Sequence, residues 1–286
     1  MIRSAALLCL VFSGLLSWAL ALPSTRSLDE CEECGHQKIC KPHRAHDIAE
    51  LKRLAPDLES DDMNTRLRAI EAVADLAKDH SNAPSKAAAE VLVDALEDDQ
   101  LVVQSAAFRY LSEGQHPETA VAGYVKRIKW FKGHMWTLVA DMTGPNEEHG
   151  GVGDAMEVLK RAVTCGESMP DDRVVKALSG LLNAFPTEMR GEPVAMATSR
   201  ALLRLGTTDA LKTVIKQFGS QNDASKIRQI HFALKTFANR LEIEETPEFG
   251  DNVEGAWIAW SRKNKKLIPK KLGKWTGPPE ADEEDD

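Results

Sequence analysis

The stretch Cys31-Glu32-Glu33-Cys34-Gly35-His36, followed by Cys40, His43 and His46, has residue types and spacing that suit chemistry. A CxxC pair with a further cysteine and a histidine close behind can surround one tetrahedral ion. Zinc held by Cys31, Cys34, Cys40 and His43 meets that description, and because so short a loop has no core, the metal would order it. The same thiols can instead pair, Cys31 with Cys34 and Cys40 with Cys165, the second bridge fastening the leader to the body of the chain. Covalent haem attachment needs a histidine directly after the second cysteine, and Gly35 stands there. A thioredoxin-like role needs strands alternating with helices around the pair, a pattern the flanking sequence lacks.

A second group of candidate residues lies mid-chain, where basic residues interleave with aromatics from Lys126 to Trp136. Trp130, Lys132, His134 and Trp136, with His149 in the Gly-rich stretch from Gly144 to Gly153, are the residues expected to contact a partner. The plainer reading of the same stretch is a helix with Ile128, Trp130 and Phe131 packed and Lys126, Arg127 and Lys129 solvated. Nucleophile elbows, phosphate-cradling glycine loops and His-Glu-x-x-His helices do not occur. The expectation is therefore binding without catalysis.

The amino terminus sets the compartment. Arg3 precedes an apolar run from Ala5 to Leu20, and Ala19-Leu20-Ala21 puts small residues at a cleavage position, as in a secretory signal peptide. The run is shorter than the roughly 20 residues a bilayer core requires. Cleavage after Ala21 predicts a secreted or periplasmic chain with no membrane association afterwards. A net charge of −8, one unit more negative without Arg3, leaves no surplus of Lys and Arg for phosphates, so nucleic acid is not an expected partner. A partner protein is.

The elements that would position these residues are helices. From Asp62 to Asp79, Met63, Leu67, Ile70, Val73, Ala74 and Leu76 recur at three- and four-residue steps, and the Asp61-Asp62 pair suits the amino end. The next helix carries Ala88, Val91, Leu92, Ala95 and Leu96. Asp98-Asp99 then restarts the pattern 37 residues after Asp61, with Val102, Val103, Ala106, Ala107 and Leu111 in the roles of the earlier set. A third echo runs from Glu192 to Gly206, where Gly206 can take the positive φ that ends a helix and Thr207 or Thr208 can cap the next. The following helix carries Ile227, Ile230, Phe232, Ala233, Leu234, Phe237 and Ala238. Near the carboxyl end an acid-capped helix from Asp251 places Trp257 and Trp260 one turn apart.

This pattern of Asp, spacer, branched apolar residue, then Ala and Leu resembles HEAT repeats over roughly residues 60 to 265. The closing Trp257 and Trp260 segment is similar to that of exported bacterial HEAT proteins, in which an aromatic pair covers the last repeat. The resemblance implies an all-α fold, a right-handed α-solenoid of HEAT-like helix pairs, that acts as a non-catalytic scaffold for a partner protein. HEAT-fold di-iron hydroxylases use His-Glu dipeptides, and none of the eight histidines here precedes a glutamate. The expected organisation is a signal peptide over 1–21, a Cys/His-rich leader over 22–46, the repeat domain over 47–267 and a basic, then acidic, disordered tail over 268–286. The alternative function is metal binding or redox work by the leader, with the helices only presenting it.

Overall fold

The computed structural model describes residues 41–78, 85–114, 116–141, 152–184, 192–220 and 224–277; for 41–45, 135–141, 152–157, 192–193 and 220 it describes the backbone alone. These residues form eleven α-helices and no strand. They are α1 (Lys41–Leu58), α2 (Met63–Lys78), α3 (Lys86–Asp94), α4 (Leu101–Glu113), α5 (Pro117–Asp141), α6 (Val152–Glu167), α7 (Asp172–Leu182), α8 (Glu192–Leu205), α9 (Thr208–Lys216), α10 (Ala224–Arg240) and α11 (Val253–Lys263). Single 3₁₀ turns at Ala95–Glu97 and Phe218–Ser220 follow α3 and α9.

No helix can bury its apolar stripe alone, and the packing shows how the stripes are shared. The odd-numbered helices pack in order, α1 on α3 through to α9 on α11, and the even-numbered ones likewise, α2 on α4 through to α8 on α10. Two ranks result, joined across the middle by one connected core that runs from Leu54 to Trp275. On α7, Val174, Val175, Leu178, Leu181 and Leu182 are buried at the spacing an amphipathic helix requires. Gly123 of α5 lies so close to Val93 of α3 that any side chain there would collide with it. That glycine is a packing device, not a break in the helix.

Helix ends follow the capping chemistry expected of them. Asp62 accepts from the backbone N–H of Thr65 at 3.0 Å and of Asn64 at 3.3 Å before α2. Gly206 has φ of 71° at the end of α8, and the Thr207 hydroxyl accepts from Ala210 N at 3.2 Å to open α9. Before α11 the outcome differs: Asn252, not an aspartate, holds the capping position, and its side chain makes no capping bond. Asp98 and Asp99 reach back past α3 to Arg66 of α2, whose Nη2 lies 2.7 Å from Asp99 and whose Nη1 donates to Ser60 O at 2.6 Å. Two longer ties repeat one interval. Arg204 of α8 pairs with Glu167 of α6, and Arg240 of α10 donates to Leu203 O of α8, each across 37 residues.

The last described helix is α11. Trp257 is fully buried and its indole N–H donates to His231 Nδ1 of α10 at 3.0 Å, while Trp260 donates to Glu245 O at 2.7 Å. The two indoles meet edge to face, 5.1 Å between centroids.

The disorder expected from residue 268 onward does not hold for residues 268–277. Ile268 and Trp275 are buried, and the backbone between them runs past the amino ends of α9, α7 and α5 in turn. Pro269 O accepts from Thr208 N at 2.9 Å, Gly273 O accepts from Asp172 N at 3.2 Å, and Leu272 N donates to the Asp172 carboxylate at 2.9 Å. Trp275 N donates to Asp171 at 3.1 Å, and Lys274 reaches Glu118 of α5 at 2.9 Å. The lysines that signal disorder by composition are the solvated side of a strap that its buried Ile268 and Trp275 and the partly buried Leu272 anchor. The strap satisfies helix-start N–H groups that would otherwise need water. The acidic residues 280–286 lie outside the described residues.

Candidate functional site

Of the residues singled out above, Cys31, Cys34, Cys40 and His149 lie outside the described residues. The backbone of His43 lies in α1, so residues 41–46, expected in the leader, are helical. Trp136 is placed in α5 by its backbone alone.

Cys165 of α6 is 9 % exposed and has no disulfide partner among the described residues. Burial pushes that thiol up to about 12, with the Ser112 hydroxyl beside it pulling the other way. It should therefore resist alkylation at pH 8 in the folded protein and react in denaturant without reductant. Silence of Cys165 in both conditions would instead show it in a disulfide, with peptide mapping to test whether Cys40 is the partner, and labelling of Cys165 in the folded protein within minutes would contradict the burial.

On α5 the assignment of packed and solvated residues is partly exchanged. Ile128 and Phe131 are buried as expected, but Arg127 is buried too, while Trp130 is 39 % exposed. The Arg127 guanidinium lies 4.0 Å from the Trp130 ring centre and 4.8 Å from that of Phe131, which lets its alkyl stem stay inside. Desolvation holds the Arg127 pKa below its ordinary value. One turn further on, His134 stacks on Trp130 with 4.2 Å between centroids and 18° between planes, its Nδ1 2.8 Å from Trp130 O. Two groups at such distances cannot share one face of an indole, so both faces of Trp130 are covered from within the helix and only its edge is open. Lys132 is not brought to this stack. It lies about 200° round the helix from Trp130, beside Gly180 of α7.

A different site stands on the even rank, between α8 and α10. Arg200, Leu203 and Arg204 of α8 face a stripe of α10 made by Arg228, Phe232, Thr236 and Arg240, and together with their neighbours they line an open cleft of about 870 Å³. No carboxylate is among the lining residues. Phe232 is 71 % exposed, the largest exposed apolar side chain of the described residues by that measure, although it belongs to a helix with a well-filled core face. Its position explains this: Phe232 follows Ile230 by two residues, about 200° on an α-helix, so with Ile230 and Leu234 inward it must point out. Comparisons with known proteins add nothing to this geometry. No family model and no curated protein matches the chain. Function is therefore argued from what these side chains can do.

The four guanidiniums are held differently. Arg204 is paired with Glu167, and Arg240 is fixed by Leu203 O while lying over Phe237, 5.7 Å from its centroid. Arg228 sits 5.6 Å from the centre of the Phe249 ring, itself 42 % exposed. For Arg200 no ion pair is formed among the described residues. The cleft thus presents at least two exposed guanidiniums without a carboxylate partner among the described residues, around one exposed phenyl ring. The sequence carries this signal plainly, as Arg200-x3-Arg204 and as four residues spaced by four from Arg228 to Arg240. It is overlooked when Phe232 is grouped with the apolar run Phe232-Ala233-Leu234.

Proposed function

We propose that this chain is an exported, non-catalytic α-solenoid of HEAT-like helix pairs that binds a partner protein through the α8 and α10 face. The single observation that carries the reading is Phe232, held 71 % exposed among arginines on a rank whose other apolar residues are largely inward. Aromatic and arginine side chains together are the composition of protein-interface hot spots. The repeat part of the reading is supported by the alternate-helix packing, by the 37-residue ties at Glu167–Arg204 and Leu203–Arg240, and by the agreement of that interval with the Asp61-to-Asp98 spacing. A non-catalytic role is supported by the lining, whose ionisable groups are guanidiniums that stay protonated and move no proton at neutral pH. Among the described residues no helix is long and apolar enough to cross a membrane.

The test is site-specific photo-crosslinking in the exporting cells. A photoreactive residue at position 232 should trap a discrete protein that the same residue at Ile48 or Leu267, also exposed, does not. Equal trapping at all three positions, or none at 232, would refute the assignment of this face.

A further inference from the structure

The chemistry of the cleft narrows what that partner must offer, an inference that rests on the binding reading above. Four guanidiniums border it, no carboxylate lines it, and its apolar lining is the exposed Phe232 with Ala233 and the buried Leu203 and Phe237. Guanidinium is a planar fork that takes carboxylates through two parallel hydrogen bonds, and Arg200 and Arg228 stand exposed on the two facing helices. The phenyl ring offers nothing to an ion but gains from covering by another apolar side chain. The whole chain, by contrast, carries a net charge of −8. A long polyanion would meet that charge over most of its length, while a short acidic segment feels mainly the arginines, because exposed charges are screened beyond about 8–10 Å.

We propose that the α8 and α10 cleft binds a short acidic peptide segment with an apolar side chain at its centre, carboxylates on Arg200 and Arg228 and the apolar group on Phe232. Such a segment is complementary to the cleft in both charge and polarity, and neither half of the complementarity is met by a neutral or a purely anionic ligand.

The measurement is fluorescence anisotropy of the full chain with a labelled peptide of Asp and Glu around a central Leu. The expected result is saturable binding that weakens with added salt, falls at least tenfold in Arg200→Glu/Arg228→Glu, and falls severalfold in Phe232→Ala. All three positions are exposed, and unchanged thermal unfolding of the variants shows that the fold is not at issue. Arg109→Glu on α4, outside the cleft, should leave binding within twofold. The proposal is overturned by equal binding of the Asn and Gln version of the peptide, by binding insensitive to the Arg200/Arg228 reversal, or by a sulfated oligosaccharide or single-stranded DNA binding more tightly at equal charge. A gain in affinity on deleting residues 280–286, lost again in the Arg200/Arg228 variant, would assign the cleft to the chain's own acidic end and would likewise overturn it. Crosslinking at position 232 without peptide binding would defeat this inference alone; failure of crosslinking would defeat the reading beneath it.

Discussion

Trp257→Ala is expected to lower stability by about 3–5 kcal/mol, the range for truncating a large buried aromatic side chain. Its side chain is fully buried on α11, the last of the described helices, and its removal opens a cavity between α10 and α11. It also strands His231 Nδ1, which accepts the indole N–H and has no other bonded donor among the described residues. Urea unfolding followed by the remaining tryptophans should show the loss, together with a fall in melting temperature on the order of 10 °C. A loss below about 1 kcal/mol would mean that α11 is an attached helix and not the closure of the core. Trp130→Ala is the control, because that indole is partly exposed and stacks only within its own helix. The same pair predicts a pH dependence. Burial lowers the His231 pKa, Lys235 lowers it further, and Glu248 opposes them. A group whose folded pKa is depressed contributes stability that is whole above its unfolded value, near 6.5, and is lost as pH falls through the folded value. The Trp257 clamp should therefore loosen on the acid side of about pH 6.5, and His231→Gln should flatten that part of the stability profile.

Asp171→Ala is expected to cost about 2–3 kcal/mol and to release the strap. One carboxylate does three things: it caps α7 by accepting from Arg173 N at 2.8 Å, it takes the Arg173 guanidinium, and it accepts from Trp275 N at 3.1 Å. The cap alone accounts for about 1 kcal/mol, and unmade bonds to a buried N–H and to a guanidinium supply the remainder. Limited trypsin digestion reads the release directly, since Lys270, Lys271 and Lys274 should be cut early in the variant and late in the parent. Identical digestion of both would show that the strap holds without Asp171. Burial raises the Asp171 carboxyl, but its bonds to Arg173 and Trp275 outweigh that, and the pKa ends below the usual value. The stability it contributes is therefore full above the unfolded value of about 3.9 and is lost as pH falls through the lower folded one. Strap release by acid belongs to that range, well below the His231 effect.

Much of the helical layout could be read from residue spacing because the physics is local. The stripe from Met63 to Leu76 and the Gly206–Thr207 junction depend on residues within a few positions of one another, and the structure places them as their spacing requires. The strap could not be read this way. Its lysines argue for solvation, and the groups that hold it, Asp172 for Leu272 and Asp171 for Trp275, lie 100 and 104 residues away. The cleft between α8 and α10 is hidden for a third reason. Phe232 and Arg127 each occupy a side of their helix opposite to the one their residue type suggests, so that angle, not residue type, decides where they point. A helical wheel with Ile230 and Leu234 fixed inward settles Phe232. Arg127 needs in addition the knowledge that Trp130 and Phe131 will shelter its stem.

The strap also changes how the molecule should fold. Helices that pack in two ranks touch mainly their neighbours, so such an arrangement can form piece by piece and come apart piece by piece. Contacts from Leu272 to Asp172, Trp275 to Asp171 and Lys274 to Glu118 join parts of the chain up to 156 residues apart. They can form only after α5, α7 and α9 are in place and the carboxyl end has been made, so the strap is the last latch to close. Once closed, it obliges the helices it crosses to open together. A chain ending at residue 267 should unfold in urea with a broader transition and a smaller m-value, whereas the full chain should lose α5, α7 and α9 in one cooperative step.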